Sequence, residues 1–209
     1  MNIKIDVDLK GALAKMKGFE REGQKAMASA INKTLAMSKT AGERAIRETY
    51  NLKAKDFKYK DKTSKVVVNK AFPKKLAASL YVRGRRMGLY LFGANKNKRS
   101  GFVSVAIKRG QRFTLKHAFI APWRRGQSEL WVMETDKTRA KIMRKSPTSG
   151  KPYETYPRKT LFTISLPEFF STRKVMGRMV EVANKNFSRI FQHEFLARVK
   201  GFAKSRKAA

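Results

Sequence analysis

His193 and Glu194 stand side by side in "QHEFLA", the opening of the zinc-protease pattern H-E-x-x-H, but the second histidine position holds Ala197. That pattern needs two imidazoles one helical turn apart on one metal, so it is excluded, and His193 reads as a surface or packing residue of a helix. His117 precedes the apolar "AFIAPW" and has no acid or nucleophile spaced to complete a triad. Lys151 follows Gly150 in "TSGKPY", yet Lys145 occupies the first glycine position of a P-loop and Pro152 follows the lysine, so a phosphate cradle fails. "RSGFVSV" matches the RNA-recognition strand signature only loosely, because Val103 and Val105 take the places of the base-stacking aromatics. With no cysteine there is neither a thiolate metal site nor a disulfide framework. The residues predict no enzyme, no catalytic residue, no metal and no cofactor.

What remains is charge. The stretch from Val82 to Arg112 carries nine basic side chains and no acidic one, gathered as Arg83, Arg85 and Arg86, then Lys96, Lys98 and Arg99, then Lys108, Arg109 and Arg112. The acid-free window extends from Lys62 to Ser128 and holds 17 of the 49 lysines and arginines, in a chain of net charge +34. A charge that far from zero opposes compaction and calls for a polyanionic partner or permanent counterions. Fixed cations on turns suit sequence-independent contact with phosphates or with acidic protein. The same clusters also read as solvated hairpin tips that keep strand edges from pairing.

The elements that position these clusters are legible from periodicity. At 209 residues with 42% hydrophobic content, the chain reads as one folded domain with a real core. Residues 1–9 alternate apolar and polar, as a short strand or extended arm, and lack the apolar core of a signal peptide; no run is long enough to span a bilayer. Residues 10–60 read as helical, with Met27, Ile31, Leu35, Gly42 and Ile46 on one face and breaks expected at Gly18 and Gly23. Ala26, Ala30, Ser38, Ala41, Gly42 and Ala45 make a face of small side chains, which means close packing within the chain or, more sharply, a subunit contact.

Residues 62–166 read as a basic, β-rich middle. The expected strands are Val66 to Val68, Ala77 to Arg83, Leu89 to Phe92, Phe102 to Ile107, Arg112 to Leu115, Ala118 to Ile120, Leu130 to Glu134 and Thr160 to Leu166, as an antiparallel meander turned at glycines. In such a meander the first and third basic clusters lie at one end and the second at the other. "MRKSPTSGKPYETYPR" reads as a long exposed loop. Ser165, Pro167 and Glu168 open the last helix, 167–203, through a capping box and a first-turn proline. Its apolar stripe is Met176, Val180, Ala183, Phe187, Phe191, Phe195, Val199 and Phe202, and residues 204–209 form a basic tail. The fold class expected is α+β: an antiparallel β-sheet or sandwich packed with a long N-terminal Ala-rich helix and a long C-terminal amphipathic helix.

This succession resembles the minor tail protein Z family of tailed bacteriophages. The stretches that carry the resemblance are "AMASAINKTLAMSKTAGERAIRET", the basic glycine-containing middle, "AFIAPWRRGQSELWVMET" and "TISLPEFFSTRKVMGRMVEVANKNFSRIFQHEFLARVK". The dense arginine run found in some members is replaced here by dispersed charge. The resemblance implies a virion structural protein, made in the bacterial host cytoplasm and acting in tail completion at the head-proximal end of the tail, the neck. It further implies a ring, commonly a hexamer, around the DNA passage, with tail terminator, tail tube or neck proteins and double-stranded DNA as partners, and no membrane. Six copies of a +34 chain in one ring need acidic subunits or DNA to offset their repulsion. Charge alone also fits a different class, a sequence-independent nucleic-acid-binding protein of ribosomal or chromatin-like type.

Overall fold

The computed structural model describes residues 2–3, 20–58, 65–122, 130–146 and 148–207. It is an α+β protein of long helices and small antiparallel sheets. Where composition predicts one domain, the chain gathers into two compact units: Met1–Arg47, Phe57–Arg85 and Leu166–Ala209 form the first, and Glu48–Asp56 with Arg86–Ser165 form the second.

The first unit contains a three-stranded sheet in which β3 (Ser79–Arg83) lies between β1 (Asn2–Ile3) and β2 (Lys65–Asn69), all antiparallel. Along β3 the chain alternates strictly, with Leu80 and Val82 fully buried and Tyr81 and Arg83 exposed, as a strand covered on one face must. Of the expected N-terminal arm, only Asn2 and Ile3 fall among the described residues, as β1.

Helix α1 (Glu20–Thr49) begins with Glu20 and Glu22 and ends with Arg47, charges that suit the helix dipole at each end. It is a single helix: Gly23 does not break it but is buried within it, while Gly18 lies outside the described residues. Asn32 Nδ2 donates to Ala71 O at 3.0 Å while Asn32 Oδ1 accepts from Ala71 N at 2.7 Å, so one side-chain amide pins the segment after β2 to α1.

The C-terminal helical stretch is two helices, α2 (Leu166–Ser171) and α3 (Arg173–Lys207), where the sequence predicts one ending at residue 203. The break falls at "ST". Ser171 Oγ donates to Glu168 O (2.8 Å) and Thr172 Oγ1 to Phe169 O (3.0 Å), so hydroxyls take carbonyls from the preceding turn. Helix α2 packs on β3 and buries Leu166, Phe169 and Phe170.

On α3 the buried ridge is Val175, Met179, Ala183, Phe187 and Phe191, an unbroken run of steps of four. Val180, expected in this stripe, is 36% exposed, and Met176 is only half-buried. The ridge thus leaves the expected stripe before Ala183, because rows of i±4 neighbours run obliquely to the helix axis. Phe187 and Phe191 pack on Ala26, Met27 and Ala30 of α1.

The small-residue face of α1 is used inside the chain. Ala30 and Ser38 are fully buried, Ala45 is 3% exposed, Gly42 is buried and Ala41 half-buried. A Cβ at Gly42 would stand 2.7 Å from Met179 Sδ and 3.2 Å from Phe170 Cε1. Of the residues expected at a subunit contact, Ala30, Ser38, Ala41, Gly42 and Ala45, Ala30 packs on Phe187 and Phe191 and Gly42 admits Met179 and Phe170, so most of this face is used within the chain, while the half-buried Ala41 keeps part of its surface.

The second unit holds several small sheets rather than one meander. β4 (Arg86–Gly88) pairs with β13 (Phe162–Ser165); β6 (Val103–Val105) lies between β5 (Asn95–Lys96) and β7 (Phe113–Leu115); β9 (Leu130–Thr135) lies between β8 (Ala118–Pro122) and β12 (Arg158–Thr160). Its core is Leu89, Val103, Val105, Ala118 and Val132, with Ile107, Leu115, Ile120 and Leu161 packed against it.

Leu89–Phe92, expected as a strand, is a 3-10 helix ended by Gly93 in the left-handed region at φ 64°. Gly88, expected at a turn, lies in β4, where a Cβ would come within 3.0 Å of the Trp131 ring. The expected long loop after Met143 is a hairpin of β10 (Ile142–Lys145) and β11 (Pro152–Thr155).

Candidate nucleic-acid interface

All nine basic residues singled out by the sequence are exposed. Arg83 ends β3 and Arg85 follows it, both in the first unit, whereas Arg86 opens β4 in the second. The remaining six surround the β5–β6–β7 sheet of the second unit. Lys96 ends β5, and Lys98 and Arg99 occupy the β5–β6 turn; Lys108, Arg109 and Arg112 occupy the β6–β7 connection, at the opposite end of β6.

The β5–β6 turn is built without its cations. Asn97 N donates to Phe102 O (2.8 Å) and Gly101 N to Asn97 O (2.9 Å), while Asn97 Oδ1 accepts from Arg99 N (2.9 Å) and Ser100 N (3.3 Å). Gly101, at φ 72°, supplies the left-handed residue that closes the turn. The Lys96, Lys98 and Arg99 side chains make no ion pair among the described residues, and the sheet beneath is held by the buried Val103 and Val105. Asn97 is the residue that sequence reasoning missed here; an Asn four residues before a Gly in a short polar link is its signal.

The β6–β7 connection is anchored differently. Arg109 N donates to Thr49 O (3.0 Å), Asn51 N to Ile107 O (2.9 Å), and Lys108 bridges Tyr50. Arg112 Nη2 donates to Gly93 O at 2.9 Å, so this guanidinium ties the connection to the glycine that ends the 3-10 helix and is structural as well as charged. Gln111 N donates to Lys108 O, closing a turn with Gly110 at its tip.

From Lys65 to Pro122 the chain has 14 basic residues and no acidic one. The ion pairs seen elsewhere, such as Lys33 and Arg198 on Glu194, Lys159 on Glu134 and Arg178 on Glu181, use carboxylates outside this window. The arrangement sets cations at fixed points where an anion can meet them, and the window itself supplies no carboxylate.

His193 is exposed on α3, and its neighbour Glu194 is engaged by Lys33 of α1 and by Arg198. The Lys33 hydrogen bond, more than the opposing effect of burial, holds the Glu194 carboxyl below the usual carboxylate range, with Ser29 assisting. His117 is exposed in the β7–β8 turn. Among the described residues, no three His, Asp or Glu side chains are placed to hold a metal ion, and no helix is long and apolar enough to cross a membrane.

No family model, curated protein or solved structure matches this chain.

Proposed function

We propose that this chain is a virion structural protein of a tailed bacteriophage, acting in tail completion at the head-proximal end of the tail. It would form a ring around the DNA passage, probing DNA or acidic neck subunits with its basic turns. The observation that carries the reading is the acid-free span from Lys65 to Pro122, within which Lys98 and Arg99 stand exposed on a turn held by Asn97 and backbone groups over an apolar core. Charge on a turn that closes without it has its use outside the chain. The tail assignment rests on the four resembling stretches. With most of the small face of α1 buried, ring contacts fall to other surfaces, among them the open edges of β2 and β7.

The test is an electron-microscopy reconstruction of the neck of particles from a host carrying the gene, with sedimentation of the purified chain beside it. A ring of this chain between head and tail supports the reading; absence of the chain from purified particles by mass spectrometry refutes it. The second reading, a sequence-independent nucleic-acid-binding protein, is favoured by the same charge. It predicts a chain that stays monomeric at high concentration and binds duplexes of any sequence alike.

A further inference from the structure

The β10–β11 hairpin is a two-stranded sheet that no third strand joins among the described residues. Ile142 pairs Thr155, Met143 pairs Glu154, Arg144 pairs Tyr153 and Lys145 pairs Pro152. Its turn is set by Ser146, whose N donates to Lys151 O (2.8 Å), whose O accepts from Gly150 N (2.9 Å), and whose Oγ accepts from Thr148 N (3.4 Å) and Ser149 N (3.3 Å). Its root is fixed by the 7%-exposed Asp136, which accepts from Thr138 N (3.2 Å) and Thr138 Oγ1 and donates its own N–H to Pro157 O (2.7 Å).

Two properties of this rigidly rooted ribbon are unexplained by folding. Met143 is 63% exposed, Tyr153 40% and Ile142 38%, on a hairpin too small to be stable on apolar burial of its own. From Lys137 to Lys159 there are eight basic residues and one carboxylate, Glu154, which Lys141 engages at 3.6 Å. Opposite residues share a face, so one face carries Met143, Lys145 and the carboxylate Glu154, and the other carries Ile142, Tyr153 and Arg144 with no carboxylate. Each face therefore presents an apolar side chain and a cation. A flat partner would engage one face only; a groove with anionic walls takes one face to its floor and also reaches the cation of the other.

A second copy of a +34 chain offers the ribbon's cations no net anionic surface, and a lipid surface suits one apolar face set against one charged face. The major groove of B-form DNA, about 12 Å wide, admits a two-stranded ribbon and offers thymine methyl groups to apolar side chains. The minor groove, about 6 Å wide, is too narrow, and the major groove of A-form RNA is too deep and narrow to be read. We propose that the β10–β11 ribbon lies in the major groove of duplex DNA, with the face of Ile142, Arg144 and Tyr153 toward the base edges, Lys145 and Lys151 toward the phosphate walls, and the Met143 and Glu154 face turned outward. This rests on the polyanion part of the functional reading and not on a place in the tail.

The experiment uses the full chain, a 25-base-pair DNA duplex and the RNA duplex of the same sequence. It measures affinity against salt and dimethyl sulfate footprints, which report guanine N7 in the major groove and adenine N3 in the minor. The parent should protect guanine N7 and prefer DNA to RNA. The triple variant R144Q/K145Q/K151Q, whose Ser146 turn is intact, should melt like the parent, lose N7 protection, and show a log-log salt slope shallower by up to about 1.8 for the two lysine phosphate contacts. N7 protection and slope unchanged in the variant, protection at adenine N3 instead, equal binding of RNA, or no binding by the parent would each overturn the proposal. The variant K98Q/R99Q, run in parallel, separates the two claims: if only the ribbon variant behaves as the parent, the ribbon inference alone fails; if both do, the polyanion reading fails with it.

Discussion

Two glycines in helices of the same unit should respond to the same substitution with opposite signs. Gly42 lies in α1 where a Cβ would meet Met179 Sδ at 2.7 Å, Met179 Cγ at 3.0 Å and Phe170 Cε1 at 3.2 Å, and both neighbours are fully buried. Gly177 lies in α3 with nothing within 4 Å of its added Cβ. Alanine in a helix interior is favoured over glycine by about 0.8–1 kcal/mol, and at Gly177 nothing opposes that gain. At Gly42 the Met179 sulfur has to shift within a filled core, and overpacking of this kind costs about 1–3 kcal/mol, so the net effect is a loss of about 1 kcal/mol. The two variants should differ by about 2 kcal/mol, or about 4–8 °C in Tm for a chain of this size. Urea denaturation followed by helical circular dichroism measures it, since all three helices have their bulk in the first unit. In a Met179→Ala background the sulfur is gone, and G42A should turn stabilising, a coupling that only direct contact produces. If G42A stabilises the parent as much as G177A does, α1 and α3 do not meet at Gly42 and the account of the small face is wrong.

In the β5–β6 turn, K98Q/R99Q should leave stability within about 0.5 kcal/mol and reduce the salt slope of duplex binding by up to about 1.8, whereas N97A should destabilise by about 1 kcal/mol and leave that slope unchanged. The reverse pattern in denaturation and binding titrations would make the cations structural. The pH dependence of stability tests Glu194, whose folded pKa is lowered chiefly by its hydrogen bond from Lys33. A depressed carboxyl pKa contributes stability that is complete above its unfolded value and is lost as pH falls through the folded value. The parent should therefore lose more stability than E194Q between about pH 5 and about pH 3; parallel curves from urea midpoints would show that the Lys33 pair contributes nothing.

How far the sequence could be read depended on whether a pattern had one physical meaning. Proline at 167 opening a helix, and apolar residues recurring at Ala183, Phe187 and Phe191, have one, and the structure has α2 and the α3 ridge there. The β-type runs Val66 to Val68 and Ala77 to Arg83, expected as strands, hold β2 and β3. Leu89 to Phe92 is apolar at every position, which a buried strand and a tight 3-10 turn satisfy equally; the left-handed Gly93 decided between them. Ser171 and Thr172 could have continued the helix, and only the carbonyls they accept as partners make them a break. The small residues of α1 state that something comes close without stating what, and Met179 and Phe170, well over a hundred residues away in sequence, are the answer. The basic clusters were legible as charge, yet Arg112 bonded to Gly93 O and Lys98 reaching into solvent are the same signal in sequence and different things in the fold. The β10–β11 ribbon was hidden by its own composition: Ser, Pro, Thr and Gly mark a turn, and its flanks are too exposed to show the apolar alternation that marks a strand. A strand that buries no apolar side chain within its own chain leaves no hydrophobic period to read, so the element hardest to find from sequence is the one whose apolar side chains are still unspent on folding.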